Sequence, residues 1–242
     1  MPDRGRRYVA DITRWFSKHK GDTHMPLKID QPAEESQRQQ AYALLKRQIS
    51  DQTMHAYFPA QLPNGQETQL EFFTANRDGK LVGAAYVGPD RADRTGGQRL
   101  GWSVDTLDDY RDHILYLHGI ATQDDAAGQG VGRALMQAVE AYAHVRNCRV
   151  IIGVTDTASA GFYARHGFHL LGPEVTIAIP VDPGIVICWP IEGSSQWFAK
   201  PLVAGSIGKI PPGSTHAVPL WPDGSTTWRK PARSTPAGNP RR

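Results

Sequence analysis

Cysteine is scarce in this sequence, and long apolar runs are absent. The two cysteines, Cys148 and Cys188, are too few for a disulfide framework and are not spaced like the ligands of a metal cluster. No window reaches the roughly 18 apolar residues that a membrane-spanning helix requires. These deficits exclude a disulfide-rich scaffold and a helical membrane protein, so we expect a soluble, cytoplasmic protein without a bound metal.

A strong excess of charge is also absent from the middle of the chain. The net charge of +3 comes mainly from arginine and lysine near the two ends, at positions 4, 6, 7, 229, 230, 233, 241 and 242. Basic ends can bind nucleic acid or an anionic membrane surface. A solvated tail explains them more simply, so nucleic acid is an alternative partner and not the favoured one.

Composition divides the chain into three segments. Residues 1–25 have apolar side chains at helical spacing, which predicts a short basic amphipathic helix in an N-terminal extension. Residues 26–193 have the ordinary composition of one globular domain. Residues 194–242 are dense in proline, glycine, serine and threonine, which predicts a C-terminal extension with a disordered end.

Strand and helix signals alternate within the central segment. Residues 26–30 predict a first strand, and Asp30 with Pro32 provides a cap and a first-turn proline for a helix that runs to about Ser50. Two apolar runs joined across residues 77–79 predict a β-hairpin. The later elements are a loop over 89–112, a strand over 113–122, a helix with an apolar stripe from Leu135 to Tyr142, a buried strand over 148–155, a short helix over 158–167, and strands over 168–172 and 185–191 separated by a connection.

The stretch AAGQGVGRALM places three glycines at alternate positions between a predicted strand and a predicted helix: Gly128, Gly130 and Gly132. Such a loop can turn successive N–H groups towards an anion, and the helix N-terminus adds about half a positive charge. The pattern therefore predicts a phosphate site. It is not a Walker A loop, because Arg133 and Ala134 stand where Lys and Ser or Thr are required. It is not a dinucleotide fingerprint, because both registers lack the third glycine.

The same stretch resembles the pyrophosphate loop of the GNAT superfamily of acyl-CoA-dependent N-acyltransferases, whose signature is Arg/Gln-x-x-Gly-x-Gly/Ala before a leucine-rich helix. The favoured register runs from Ala127 to Gly132, with Leu135 and Met136 as the usual aliphatic pair. Ala127 replaces the usual Arg or Gln, which predicts weaker coenzyme A binding and not its loss. A literal match beginning at Gln129 puts unsuitable residues at the aliphatic pair and is rejected.

Two further stretches resemble the same family. DGKLVGAAYV is similar to the second strand of its hairpin, and ASAGFYARHGF is similar to its fourth helix, with Tyr163, Gly167 and Phe168 in the common run. Asp156 stands where the family often has Asn. The resemblance covers roughly residues 26–192 and implies an α/β fold with a mixed, largely antiparallel central sheet, flanked by helices and splayed between the fourth and fifth strands.

The resemblance implies direct attack of a neutral amine on the thioester of acetyl-CoA. A primary amine, with a pKa of about 10.4, must lose a proton first, and the leaving thiolate needs a proton or a hydrogen bond. The implied acid is Tyr163, taken to have the ordinary tyrosine pKa of about 10; the alternative is a core tyrosine packed beside Phe162. His118 is the candidate base; the alternatives are a hydrogen-bonded core histidine, a glutamate or a chain of ordered water.

The resemblance also implies which residues hold acetyl-CoA, mostly through backbone groups. The end of the strand lines the pantetheine arm through Ile120, Ala121 and Thr122. The loop holds the pyrophosphate through Ala127, Gly128, Gln129, Gly130, Val131, Gly132 and Arg133. Asp156 completes the implied set.

The implied acceptor is a primary amine of a small molecule or peptide, and acetyl is the implied acyl group. The basic ends indicate an alternative, an acyltransferase that acts on aminoacyl-tRNA. Ala127 and the unidentified base indicate another, a coenzyme A-binding regulatory module without turnover. If the chain forms an oligomer, a dimer is expected.

Overall fold

The computed structural model describes residues 27–49, 71–88, 112–173, 175–182, 185–189, 195–207 and 217–219 of the 242-residue chain. The helix predicted within residues 1–25, nearly all of the loop predicted over 89–112 and the end of the C-terminal extension lie outside the described residues.

Ten strands are described: β1 Lys28–Asp30, β2 Glu71–Arg77, β3 Lys80–Gly88, β4 Ile114–Thr122, β5 Val150–Thr155, β6 His169–Leu170, β7 Thr176–Asp182, β8 Ile185–Trp189, β9 Gln196–Pro201 and β10 Ala217–Pro219. Seven of them form a central sheet in the order β1-β2-β3-β4-β5-β9-β6. Every neighbouring pair in it is antiparallel except β4 with β5, which is parallel. The predicted mixed, largely antiparallel sheet is confirmed.

Within the described residues, three helices flank the central sheet: α1 Glu35–Gln48, α2 Val131–Val145 and α3 Thr157–Arg165. Leu45 of α1 shares a buried cluster with Tyr86 on one face. Leu135 of α2 and Tyr163 of α3 share another buried cluster with Leu117 on the opposite face. The apolar stripe predicted for α2 faces the sheet, as expected for a helix whose stripe repeats every three or four residues.

Strand β4 contributes to the core on both faces. Leu115 and Leu117 belong to the cluster beneath α2, whereas Ile114 and Tyr116 belong to a cluster on the other face. Successive side chains of a strand point to opposite faces, so a continuous apolar run is what a strand buried on both sides requires.

Strands β4 and β5 separate after three residue pairs. Their register begins at Ile114 with Val150 and ends at Tyr116 with Ile152, although β4 continues to Thr122. Beyond Tyr116, no described strand pairs with the edge of β4 that faces β5. This separation confirms the predicted splay between the fourth and fifth strands.

A β-bulge lies close to the point of separation. The β3–β4 register passes from Gly119 to Leu117 over consecutive residues of β3, so His118 is the extra residue of β4. A bulge bends the strand and increases its twist, which contributes to turning the end of β4 away from β5.

Gly153 of β5 lies opposite the bulge region, where two other groups take the space of a side chain. A Cβ at this position would lie 2.7 Å from the Leu117 carbonyl oxygen and in collision with the Phe198 ring. Only glycine fits between these groups, so the local sequence of β5 permits the close approach of β4 and β9 beside the split.

A second sheet has the order β10-β7-β8, with β7 and β8 antiparallel and β10 parallel to β7. Ile177 of β7 is fully buried in a cluster with Tyr116 and Trp197 of the central sheet. The second sheet therefore contacts the central sheet on the face opposite α2.

The structure corrects the prediction that residues 173–184 form a connection, because Thr176–Asp182 is strand β7. The apolar alternation of Ile177, Ile179 and Val181 was the available signal, and the neighbouring prolines obscured it. The C-terminal extension predicted from residue 194 begins too early, because Gln196–Pro201 is strand β9, between β5 and β6 in the central sheet.

The predicted start of the first helix is also wrong. Asp30 is the last residue of β1, paired with Thr74, and its carbonyl accepts a hydrogen bond from the Thr74 hydroxyl at 3.2 Å. The helix begins at Glu35 with Glu34 as its N-cap. Pairing with β2 therefore overrides the local capping preference of Asp30.

Candidate active site

The glycine loop follows β4 through a 3₁₀ turn at Asp124–Ala126 and leads into α2. Gly128 and Gly130 have φ values of 75° and 80°, in the left-handed region, and Gly130 is the N-cap of α2. A Cβ on either glycine would meet nothing within 4 Å. Backbone conformation, and not lack of space, is therefore the reason for glycine at these two positions.

Two of the predicted amide donors are used inside the loop. The Ala127 N–H donates to the Asp124 carbonyl at 3.2 Å, and the Gln129 N–H donates to the Ala126 carbonyl at 3.3 Å. These bonds hold the turn in place. Because the Ala127 and Gln129 amides are already hydrogen-bonded, any contact of these two residues with phosphate falls to their other groups.

The donors available at the helix start are those of the next residues. The first backbone bond of α2 runs from Ala134 N–H to the Gly130 carbonyl at 3.0 Å. Within the described ranges, the amides of Val131, Gly132 and Arg133 donate to no backbone carbonyl, as expected for the first turn of a helix. Three adjacent N–H groups at a positive helix end fit a phosphate group.

Two of the three residues implied for the pantetheine arm direct their backbone groups towards the open edge of β4. Gln123 N–H donates to the Val82 carbonyl of β3 at 2.9 Å, so Gln123 and Ala121 occupy the hydrogen-bonded positions of the β3–β4 ladder. Because these positions alternate along an antiparallel pair, Ile120 and Thr122 direct their N–H and C=O groups towards the split. Ala121 instead faces β3 with its backbone.

The end of β4, the start of α2 and helix α3 meet at one point. A Cβ at Gly132 would lie 3.1 Å from the Phe162 ring and 3.9 Å from the Thr122 methyl group. The half-buried Phe162 ring therefore borders both predicted parts of the cofactor site. No sequence motif assigns Phe162 a role at the site; its only signal is its position next to Tyr163 on a short helix.

Tyr163 lies in an aromatic cluster behind this point. Its ring stacks on Phe198, with centroids 4.0 Å apart at 17°, and makes edge contacts with Phe162 and Phe168. Burial, and secondarily the negative charge of Asp156, raises the pKa of Tyr163 far above its ordinary value. The assumption of an ordinary tyrosine pKa is therefore wrong: this hydroxyl stays protonated well into the alkaline range.

Asp156 is the N-cap of α3. Its Oδ1 accepts a hydrogen bond from the Ser159 N–H at 2.7 Å, as an aspartate cap is expected to do. The structure thus gives Asp156 a local role at the end of β5, and its contact with the cofactor stays a prediction.

His118 lies on the other face of the sheet from Tyr163. Its buried ring stands between Tyr116, at 4.5 Å between centroids, and Tyr86, at 4.9 Å. These two tyrosines belong to the clusters opposite α2, whereas Tyr163 belongs to the cluster beneath α2. The two candidate catalytic side chains therefore approach the split region from opposite faces.

Neither a cluster of potential metal ligands nor a membrane-spanning helix occurs in the part of the chain that the structure describes. That part contains no group of three or more His, Cys, Asp or Glu side chains arranged to hold a metal ion. None of its helices is long and apolar enough to cross a membrane.

Comparisons with known proteins agree with the sequence resemblance. The model of the Acetyltransferase (GNAT) family matches residues 38–168, which is more than half of the chain. A search of curated proteins found no match.

Three solved structures illustrate the similarity. The ribosomal-protein-S18-alanine N-acetyltransferase from Escherichia coli is 16% identical, with a TM-score of 0.45 over 73% of this chain and 94% of that chain. A GNAT family acetyltransferase from Elizabethkingia anophelis with acetyl-CoA bound is 15% identical, with a TM-score of 0.45 over 73% and 98%. A putative acyl-CoA N-acyltransferase from Klebsiella pneumoniae is 18% identical, with a TM-score of 0.45 over 73% and 97%. On the family match, this chain belongs to the GNAT family of acetyltransferases.

Proposed function

We propose that this protein transfers an acetyl group from acetyl-CoA to a primary amine of a small molecule or peptide by direct attack. One observation supports the proposal most strongly. The open edge of β4 beyond Tyr116 leads directly to three adjacent N–H groups at the start of α2, at Val131, Gly132 and Arg133. The family to which the chain belongs uses acetyl-CoA.

In this proposal, backbone groups hold acetyl-CoA. The amides of Val131, Gly132 and Arg133, with those of Gly128 and Gly130, bind the pyrophosphate. The backbone groups of Ile120 and Thr122 hydrogen-bond to the pantetheine arm along the open edge of β4. Because Gly132 has no side chain beside Phe162, no side chain at this position stands between the cofactor and these backbone groups. When bound, acetyl-CoA supplies a thioester whose carbonyl carbon is electrophilic.

Tyr163 acts on the leaving sulfur in this proposal. A thiol has a pKa of about 8.5, whereas burial raises the pKa of Tyr163 far above that of an ordinary tyrosine. Complete proton transfer from this hydroxyl to a thiolate is therefore uphill. Tyr163 consequently stabilises the developing thiolate through a charge-assisted hydrogen bond, which is stronger than a neutral one.

His118 acts on the acceptor amine from the other face. An imidazole has an ordinary pKa of about 6.5 and can accept the proton that the attacking nitrogen must lose, directly or through water. A base on one face and a hydrogen-bond donor on the other suit direct attack, because the proton leaves the nitrogen while negative charge develops on the sulfur, which is a different atom. The thiolate leaves with the electron pair of the C–S bond and takes up a proton from solvent, and His118 returns the proton of the amine to solvent, so the exchange balances.

A thiol-release assay tests the proposal. Purified full-length protein is mixed with acetyl-CoA and one acceptor at a time, drawn from amines, polyamines, aminoglycosides and peptides. Free coenzyme A is then measured over time. Amine-dependent release supports the proposed reaction. Coenzyme A binding without release across the panel would instead support a regulatory module, and failure to bind coenzyme A would contradict both functions.

A further inference from the structure

We propose that Arg77, on the β2–β3 hairpin, supplies the phosphate-facing positive charge that the glycine loop lacks at Ala127. This inference rests on the proposed function, since it assigns a further residue to the same coenzyme A site. It concerns a residue outside the loop, from a part of the chain that the loop pattern does not include.

Arg77 is joined to the loop by a side-chain hydrogen bond. Its guanidinium donates to the Gln129 Oε1, although the two residues are 52 positions apart in the sequence. The Gln129 Nε2 in turn donates to the Asp125 carbonyl at 2.6 Å. Gln129 stands between Gly128 and Gly130, so this chain of bonds brings a guanidinium to the glycine run.

The side-chain charge of the loop is unfavourable for a phosphate ligand. Residues 123–133 contain Asp124, Asp125 and Arg133 as their only charged side chains, which gives a net charge of −1. Coenzyme A carries several negative charges on its phosphates. A positive side chain from elsewhere would offset the local negative charge, and Arg77 is hydrogen-bonded to the loop.

The guanidinium also has donors to spare. Arginine carries five N–H donors in a planar fork that can bind two phosphate oxygens at once. Within the described part of the chain, Arg77 forms one side-chain hydrogen bond, to Gln129. Gln129 thus orients the fork, and the remaining donors can bind an oxygen of the pyrophosphate.

Arg47 of α1 provides a matched control. Its guanidinium donates to the Gln123 Oε1 at 2.6 Å, which is the same kind of bond to the same connecting segment. Gln123, however, follows directly on β4 and precedes the 3₁₀ turn. Replacing Arg47 therefore removes an equal charge and an equal bond outside the glycine run.

The test is calorimetric binding of coenzyme A to full-length wild type, Arg77→Met, Arg47→Met and the double variant Arg77→Met/Ala127→Arg. Loss of a charge-assisted hydrogen bond predicts a rise in Kd of about ten- to a hundredfold for Arg77→Met, and less than about threefold for Arg47→Met. The double variant restores the arginine that is usual in the loop, so it recovers most of the affinity. The loss persists with dephospho-coenzyme A, which retains the pyrophosphate.

The outcomes are decisive for the role of Arg77. A Kd for Arg77→Met within twofold of that for Arg47→Met would overturn it, as would a double variant that binds no better than Arg77→Met. Loss confined to coenzyme A, and absent with dephospho-coenzyme A, would also overturn it by assigning Arg77 to the 3′-phosphate. Thermal unfolding of each variant checks that it folds. A wild-type protein that binds no coenzyme A would refute the proposed function itself, which is a different result.

Discussion

Replacing Tyr163 by phenylalanine removes one hydroxyl and leaves the aromatic ring in place. The ring makes the contacts that matter for packing: it stacks on Phe198 and meets Phe162 and Phe168 edge-on. Tyr163→Phe therefore keeps the shape of the cluster. Because the substitution removes at most one hydrogen bond and keeps the ring, we expect the stability of the fold to change by less than about 1.5 kcal/mol.

The effect on turnover is expected to be much larger. A positioned hydrogen-bond donor to a developing anion contributes about 10²- to 10³-fold to rate, which corresponds to about 2.7 to 4 kcal/mol of activation free energy. Tyr163 makes this contribution only when negative charge develops on sulfur. The Kd for acetyl-CoA should therefore stay within about threefold of the wild-type value, while kcat falls by the full factor.

Thiol release, calorimetric acetyl-CoA binding and thermal unfolding are all measured on the wild type and on Tyr163→Phe. Phe168→Leu is a suitable control, since it changes a core ring that Tyr163 contacts edge-on without removing a hydroxyl. Unchanged kcat for Tyr163→Phe, or a fall in kcat that merely follows a fall in stability, would refute the role of this hydroxyl.

Three further predictions concern the loop, the split and the pH dependence of stability. Gly130→Val forces a β-branched residue to a φ of 80° and should weaken coenzyme A binding at least tenfold in calorimetry. The control Gly205→Val, strained at a φ of 82°, should leave the affinity unchanged. Equal affinities of the two variants for coenzyme A would contradict the loop geometry. Gly153→Ala should lower the free energy of unfolding by about 1 to 3 kcal/mol because its Cβ meets the Leu117 carbonyl. The control Gly161→Ala, in helix α3, should raise it by up to about 1 kcal/mol. Denaturant unfolding measures both, and no loss for Gly153→Ala would refute the close approach of β4 and β9. Burial raises the pKa of Tyr142 to about 12, so the unfolded state loses this proton first as the pH rises. The free energy of unfolding therefore falls by about 1.4 kcal/mol per pH unit between about pH 10 and 12. Tyr142→Phe should reduce that fall, and identical alkaline unfolding curves for the two proteins would disprove this prediction.

Much of the central domain was predictable because its signals are local. The alternating glycines, the apolar stripe of α2 and the turn at residues 77–79 each depend on neighbours within a few positions, and all three are in their predicted places. The turn confirms the hairpin chemistry, with Asp78 and Gly79 at φ values of 54° and 75°.

The elements that the sequence did not reveal depend on distant pairing. Strand β9 completes the sheet between β5 and β6 although it follows the β7–β8 hairpin in the chain, and its six residues carry few features that distinguish them from an extension. The start of α1 was misplaced because β2 holds Asp30 in a strand. Such outcomes are decided by partners far along the chain, which a local pattern does not contain.

The same distinction between local patterns and distant pairing applies to the site. The sequence located the glycine loop, the end of β4 and the tyrosine helix, each of which has a compact motif. It did not indicate that the Ala127 and Gln129 amides are used within the loop, that His118 is the bulged residue of β4, or that Arg77 reaches Gln129. These features arise only when separate segments are brought together.

Amide hydrogen exchange at single-residue resolution, with and without coenzyme A, tests most directly whether the start of α2 holds the cofactor phosphates. The account predicts that exchange slows on binding at Val131, Gly132 and Arg133, whose amides donate to no carbonyl in the described structure. It predicts little change at Ala127 and Gln129, whose amides are already bonded inside the loop. Unaltered exchange at all three helix-start amides under saturating coenzyme A would contradict the account.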